Sequence, residues 1–391
     1  MTLKQWLVAM LCLAGVGSAP PPPRPQEARP ERHLLYVAVP GIRNYVEHGG
    51  VGVLVFDMDD GHRFVKRIPT FEEPQRAQRP QSGVEPQKTQ GPQSGEPPEP
   101  IKGIAASAAT GRLYVSTPTR IISIDLETEA IVWNRTFEGG CDRMAMSPDG
   151  KILYVPSFEG PHWNVVDALS GERIKKIETN SGAHNTIYGL DGKRVYLAGL
   201  KSPSLAVADA RSHTLVGSVG PFGNVIRPFT INARQTLCFV NVNGLLGFEV
   251  GDLRSHKVLH RVEVAGYEKG PVKRHGCPSH GIGLTPDERE LWLADGANSA
   301  VHVFDNTVMP PRQVASVTLR DQPGWITFSL DGKYGYPSTG DVIDVHARRI
   351  VAGLQDEAGR PVQSEKLVEI VVANGKTRRA GDQFGLGRAR K

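Results

Sequence analysis

The chain has 391 residues, of which 39% are hydrophobic and 22% charged, with 43 Gly and 30 Pro. This is a globular, turn-rich composition, and it excludes a collagen-like chain, a coiled coil and a polytopic membrane protein. The formal net charge of +5 is local, because residues 376–391 carry six basic residues against Asp382 alone. The tail reads as a solvated basic end, and nucleic acid is not expected as a partner.

Taken in chain order, residues 1–19 read as an export signal. Lys4 supplies the positive start, Trp6 to Gly15 the short apolar run, and Gly17, Ser18 and Ala19 the small residues before a cut. Pro20 follows directly and leaves the cleavage point open. The apolar run is too short to span a bilayer, no later segment is long enough, and the mature protein is expected in the periplasm or secreted. A Pro-rich leader, 20–33, comes next. Cys141, Cys238 and Cys277 remain after cleavage. Their number is odd, and none stands in C-x-x-C or zinc-ligand spacing.

From residue 34 the chain repeats. Short apolar cores are centred on Tyr36, Tyr114, Tyr154, Tyr196, Phe239, Trp292 and Tyr336, spaced by 40, 42, 43, 53 and 44 residues from Tyr114 onward. Turns precede several cores: SPDGK at 147–151, LDGK at 190–193, TPDER at 285–289 and SLDGK at 329–333. A second strand follows each core and often ends in Asp: Asp57, Asp125, Asp167, Asp209, Asp305 and Asp344. Short alternating strands at a period near 42 predict four-stranded blades. Seven copies predict an all-β, seven-bladed β-propeller over residues 34–375.

Two departures stand out. Residues 71–100 are rich in Pro, Gln, Gly and Glu and read as a disordered insertion between blades. The first copy lacks an innermost strand. The final apolar run, 366–372, returns to complete the ring or else completes blade seven. The pattern SPDGKxLYV…VxVxD resembles the YVTN-type propeller repeat of exported bacterial proteins over about residues 34 to 375. At superfamily level such propellers are similar to seven-bladed lactonases and to the propeller subunits of quinoprotein amine dehydrogenases. No motif carries either chemistry over to residues of this chain, and no cofactor is expected.

Propeller strand directions place the long connections 39–51, 71–100, 156–163 and 265–279 at one mouth of the channel, where a site is to be sought. Counting back twelve residues from each core aromatic reaches the start of the innermost strand: Lys102, Asp142, His184, Arg227, His280 and Gly324. The next positions are Gly103, Arg143, Asn185, Pro228, Gly281 and Trp325. Polar residues at the wet end of a channel need no function. The functional reading is an anion site, since Arg grips a carboxylate bidentately and His offers a donor and a titratable proton. His275 in the 265–279 loop joins the same mouth. A metal is not expected, because Arg227 stands between His184 and His280 and repels a cation.

Glu159 with His162, and Tyr45 with His48, are thinner candidates on the same face and are ordinary loop residues otherwise. The reading is a monomeric binding or scaffold propeller, with a small anion or a protein partner at the mouth. The alternative is a lactonase-like hydrolase in which imidazole is the base and Arg227 stabilises developing negative charge. Convergence of His184, Arg227 and a carboxylate on one cavity favours the enzyme; a wide open channel favours the scaffold.

Overall fold

The computed structural model describes residues 31–70, 98–272 and 274–384. Residues 1–30, read from the sequence as an export signal and most of a leader, and residues 71–97 of the expected insertion lie outside the described residues. Among the described residues, 29 strands form seven antiparallel sheets, one of five strands and six of four. The protein is a seven-bladed β-propeller. The innermost strands of blades 2 to 7 are Gly103–Ser107, Ala145–Met146, Ala183–Tyr188, Ile226–Ile231, Ser279–Leu284 and Ile326–Phe328.

Blades form where the sequence repeats because each repeat supplies strands that are apolar on both faces. Tyr114 and Val115, or Leu293 and Ala294, point to opposite sides of one sheet, and all are buried. The core is therefore a set of seven apolar clusters, one at each seam between neighbouring blades. Polar tips are satisfied across the same seams. The Tyr114 hydroxyl donates to the Ala168 carbonyl of blade 3, and the Tyr196 hydroxyl to Gln235 of blade 5. Tyr154 reaches His213 of blade 4, and Tyr336 reaches His62 of blade 1.

The turns follow from local hydrogen bonding. Ser147 Oγ accepts from the Ile152 N–H and donates to Asp149, and Ser329 repeats the arrangement with Tyr334 and Asp331. Gly150 and Gly332 take φ of +73° in these two turns, where a side chain would be strained. The Asp that ends the third strand of a blade caps the following turn. Asp125, Asp167, Asp209 and Asp252 each accept from the backbone N–H groups two and three residues on.

Closure decides the question left open at the C-terminus. Leu367–Ala373 pairs with Arg32–Val39, placing Val368 opposite Tyr36, so the final apolar run completes blade 1. The basic tail begins as a strand, with Lys376, Arg378 and Arg379 exposed. Lys376–Ala380 adds a fifth strand on the channel side of Leu367–Ala373. The segment 381–384 then crosses the lower end of the channel. The Gln383 side chain accepts from the Ile104 N–H and donates to the Met144 carbonyl, its backbone carbonyl accepts from Trp325 Nε1, and Phe384 packs edge-on against Trp325. One residue thus ties blades 2, 3 and 7. Among the described residues no helix is long and apolar enough to cross a membrane.

Candidate functional site

A cavity of about 620 Å³ opens at the upper mouth of the channel. All four long connections contribute to it: Ile42, Arg43 and Asn44; Pro98, Glu99 and Pro100; Glu159; and Arg274, His275 and Gly276. Residues 98–100, assigned by composition to the insertion, form no strand but are part of this wall. Glu99 accepts hydrogen bonds from Thr117 and Thr119 there.

Strand starts supply the rest of the lining: Lys102, Asp142, Arg143, His184, Arg227, His280, Glu365 and Lys366. Glu365 was not reached from the sequence. In blades 2 to 7 the ring residue lies three positions before the partner of the core aromatic, as Lys102 precedes Ala105, the partner of Tyr114. In blade 1 that partner is Val368, and three back is Glu365. The twelve-residue count fails here because the two strands are joined by the closure of the ring and not by a turn. Pairing 366–372 with the Tyr36 strand would have found it.

Asn185 and Trp325 do not sit on the rim. They lie one residue deeper, and both are buried beneath it. Trp325 lies under Arg143, which lines the cavity and whose guanidinium stacks on its ring at 3.9 Å, and Gln383 and Phe384 close the channel below. Arg143 itself crosses the channel from blade 3 to blade 1, where Nη2 pairs with Glu365 Oε2. Gly324 leaves an opening in the ring, and His275 fills it. A Cβ at Gly324 would stand 1.9 Å from His275 Nε2, so His275 keeps this place only while position 324 has no side chain. His162 turns away from the cavity, toward the Glu138 carbonyl, and Tyr45 and His48 pack on each other outside it.

On one wall His184 and Asp142 form a pair. His184 Nδ1 is 2.5 Å from Asp142 Oδ2, and the other carboxylate oxygen accepts from the Arg143 N–H at 2.9 Å. The carboxylate fixes the ring and its tautomer and leaves the other ring nitrogen to the cavity. Arg227 lines the same cavity, held by its Nε on Asn243 Oδ1 at 2.6 Å. Lys102 rests its ammonium 4.6 Å over the Phe158 ring. Among the described residues neither Lys102 nor Arg227 has a carboxylate partner.

The opposite wall holds Glu365, Lys366, His275 and His280. Lys366 Nζ donates to Glu365 Oε2 at 2.7 Å and to the Gly41 carbonyl at 3.0 Å. Burial, then repulsion from Arg143, lowers Lys366 to about 7 despite Glu365. Burial opposes the charge on Glu365, but Lys366, Arg143 and the two imidazoles hold its carboxyl well below the usual range. His275 and His280 stack with ring centroids 4.1 Å apart. Burial first of all lowers His275 to about 4 and takes His280 well below its ordinary value, so both rings are neutral near pH 7. Arg143 Nε and Nη1, both amide atoms of Asn185, His275 Nε2 and Glu365 Oε1 are buried without a hydrogen-bond partner. His275 Nε2 and Glu365 Oε1 are 3.1 Å apart but not aligned for a hydrogen bond. His184 and His280, considered together from the sequence, thus belong to different walls.

No protein-family model and no curated protein sequence matches the chain. Among solved structures, Kuenenia stuttgartiensis hydrazine synthase is similar at a TM-score of 0.43 and 16% identity, over 64% of this chain and 94% of that one. A likeness at that level carries no argument about this protein's role.

Proposed function

We propose that the mouth cavity binds a small anionic molecule, a carboxylate in the first instance, in a protein that works outside the cytoplasm. The observation that carries this reading is the set of cationic groups on one cavity at the mouth of the channel. Among the described residues Lys102 and Arg227 lack carboxylate partners, and two Arg143 nitrogens are buried without an acceptor. A buried unpaired donor costs about 1–3 kcal/mol, which an anionic ligand would recover. Walls contributed by four loops suit a small molecule better than the surface of another protein.

A second reading rests on the His184–Asp142 pair. A carboxylate-oriented imidazole facing a cationic cavity has the parts of a general base beside charge-stabilising donors. A lactone is the substrate class that fits: water attacks its carbonyl as His184 takes the water's proton and Arg227 or Arg143 holds the oxyanion. Collapse of the tetrahedral intermediate then breaks the ring acyl–oxygen bond while the His184 imidazolium returns the proton to the leaving alkoxide, giving a hydroxycarboxylate.

Calorimetric titration of acetate, succinate and citrate tests the binding site. Arg227→Ala is expected to weaken binding roughly ten- to a hundredfold, the value of a charge-assisted contact of about 1.5–3 kcal/mol. Its thermal midpoint should stay that of the wild type. Equal affinity in both proteins would remove the anion site. Opening of a δ-lactone by the wild type, abolished in His184→Ala and in Asp142→Asn, would establish the catalytic reading, and no turnover would leave binding alone.

A further inference from the structure

We propose that His275, His280 and Glu365 form a binding site for a divalent first-row transition-metal ion on the wall of the cavity opposite His184. One ligand atom from each residue lies within 4.8 Å of the others. Two imidazoles and one carboxylate are a donor set suited to zinc, cobalt or iron, and poorly suited to magnesium or calcium, which take oxygen.

The atoms around the three ligands are arranged as a metal's outer shell is. A ligating histidine usually gives its other ring N–H to a carbonyl, and a ligating carboxylate is itself hydrogen-bonded. His280 Nδ1 donates to the Gly324 carbonyl at 3.0 Å, which leaves the lone pair on Nε2. Glu365 Oε2 is held by Arg143 and Lys366, while Oε1 has no partner. His275 Nε2 also has none, although the ring is almost wholly buried. Gly324 is a glycine so that this nitrogen can stand where a side chain would begin. Metal–nitrogen bonds of about 2.0–2.1 Å bring neighbouring donors to roughly 3 Å, so the two rings and the carboxylate draw together on binding.

Arg143 and Lys366 both act on the Glu365 oxygen that faces away from the other ligands, as outer-shell donors. All three ligands line the cavity, so the open coordination positions face it. The sequence had set a metal aside because Arg227 separates His184 from His280. The folded ring gives His280 two other companions, one from a loop and one from the far end of the chain. This site does not depend on the anion reading, because a metal titration needs no carboxylate present.

The test uses the full chain treated with a chelator, then titrated with Zn²⁺ by calorimetry and with Co²⁺ by visible absorption. The expected result is one Zn²⁺ per chain and Co²⁺ d–d bands. In His275→Gln and Glu365→Gln the affinity should fall by about a hundredfold or more. In His184→Ala it should stay unchanged, which separates this site from the Asp142 pair. Thermal melts establish that each variant is folded. Should Glu365→Gln not fold, His275→Gln, a loop substitution of similar bulk, decides alone. No saturable Zn²⁺ site, or one that His275→Gln leaves intact, overturns the proposal.

Discussion

His62 spans the seam between blades 1 and 7, with Nε2 2.9 Å from the Tyr336 hydroxyl. The Tyr334 ring meets it edge-on at 4.7 Å, and Lys333, Asp57 and Asp59 are the charges that act on it. Burial, then Lys333, lowers its pKa to about 4, with the two aspartates opposing. The native state therefore prefers the neutral ring. Its stability contribution is complete above the unfolded value near 6.5. Between pH 6.5 and about 4 only the unfolded chain gains the proton, and below about 4 the loss is complete. The expected slope is about 1.4 kcal/mol per pH unit for this group, with stability rising as pH rises. Urea midpoints measured from pH 7 to 4 should show that fall. His62→Asn tolerates the residue's φ of +63° and should flatten the profile by this one group while lowering the plateau. An unchanged slope would mean that His62 titrates normally in the folded protein.

At the scale of single elements, the last four described residues act as a bolt. Gln383 satisfies the Ile104 N–H and the Met144 carbonyl, both buried, and Phe384 is buried against Trp325. Removing the Gln383 side chain orphans both groups, so Gln383→Ala should cost about 1–3 kcal/mol. Phe384→Ala should cost about 3–5 kcal/mol. A chain ending at Ala380 should lose more than either, read as a lower urea midpoint. If all three unfold with the wild type, the segment does not pin the channel. This element was invisible in the sequence for a physical reason. Residues 376–391 have a charge pattern, but nothing in KTRRAGDQF shows that Gln383 and Phe384 reach across the axis to Trp325. The blades were legible because each core aromatic repeats with its own turn and its own capping Asp, so every copy restates the same local physics. The ring at the mouth was legible for the same reason. Glu365 and Lys366 escaped because their register is set by a partner strand more than 300 residues away in sequence. Trp325 was reached as the position after Gly324, but a count along a strand does not say how deep in the channel a position falls.

For the molecule as a whole, seven seams hold the ring, and among the described residues no disulfide joins them. Cys141, Cys238 and Cys277 are free and buried. Burial pushes the Cys238 and Cys277 thiols up to about 12 and Cys141 up as well. Alkylation needs the thiolate, so the folded chain should resist iodoacetamide at pH 8. All three sites should label in guanidinium without any reductant. Labelling of fewer than three under denaturation would reveal a bridge, and fast labelling of the folded chain would reveal a seam that opens readily.

Blade 1 is sewn from the two ends of the chain, and this sets a timetable for biosynthesis. The strand Arg32–Val39 is made early, yet its inner neighbour, Leu367–Ala373, is made roughly 330 residues later. At about 5–20 residues per second the ribosome needs on the order of 20–70 s to deliver it. For that interval blade 1 presents an unpaired, apolar edge, the kind of surface that recruits other strands. The circle cannot lock before Leu367–Ala373 has been made. A chain with this topology stays threadable until that strand arrives, and a chaperone that shields Arg32–Val39 in the meantime would raise the yield of closed rings.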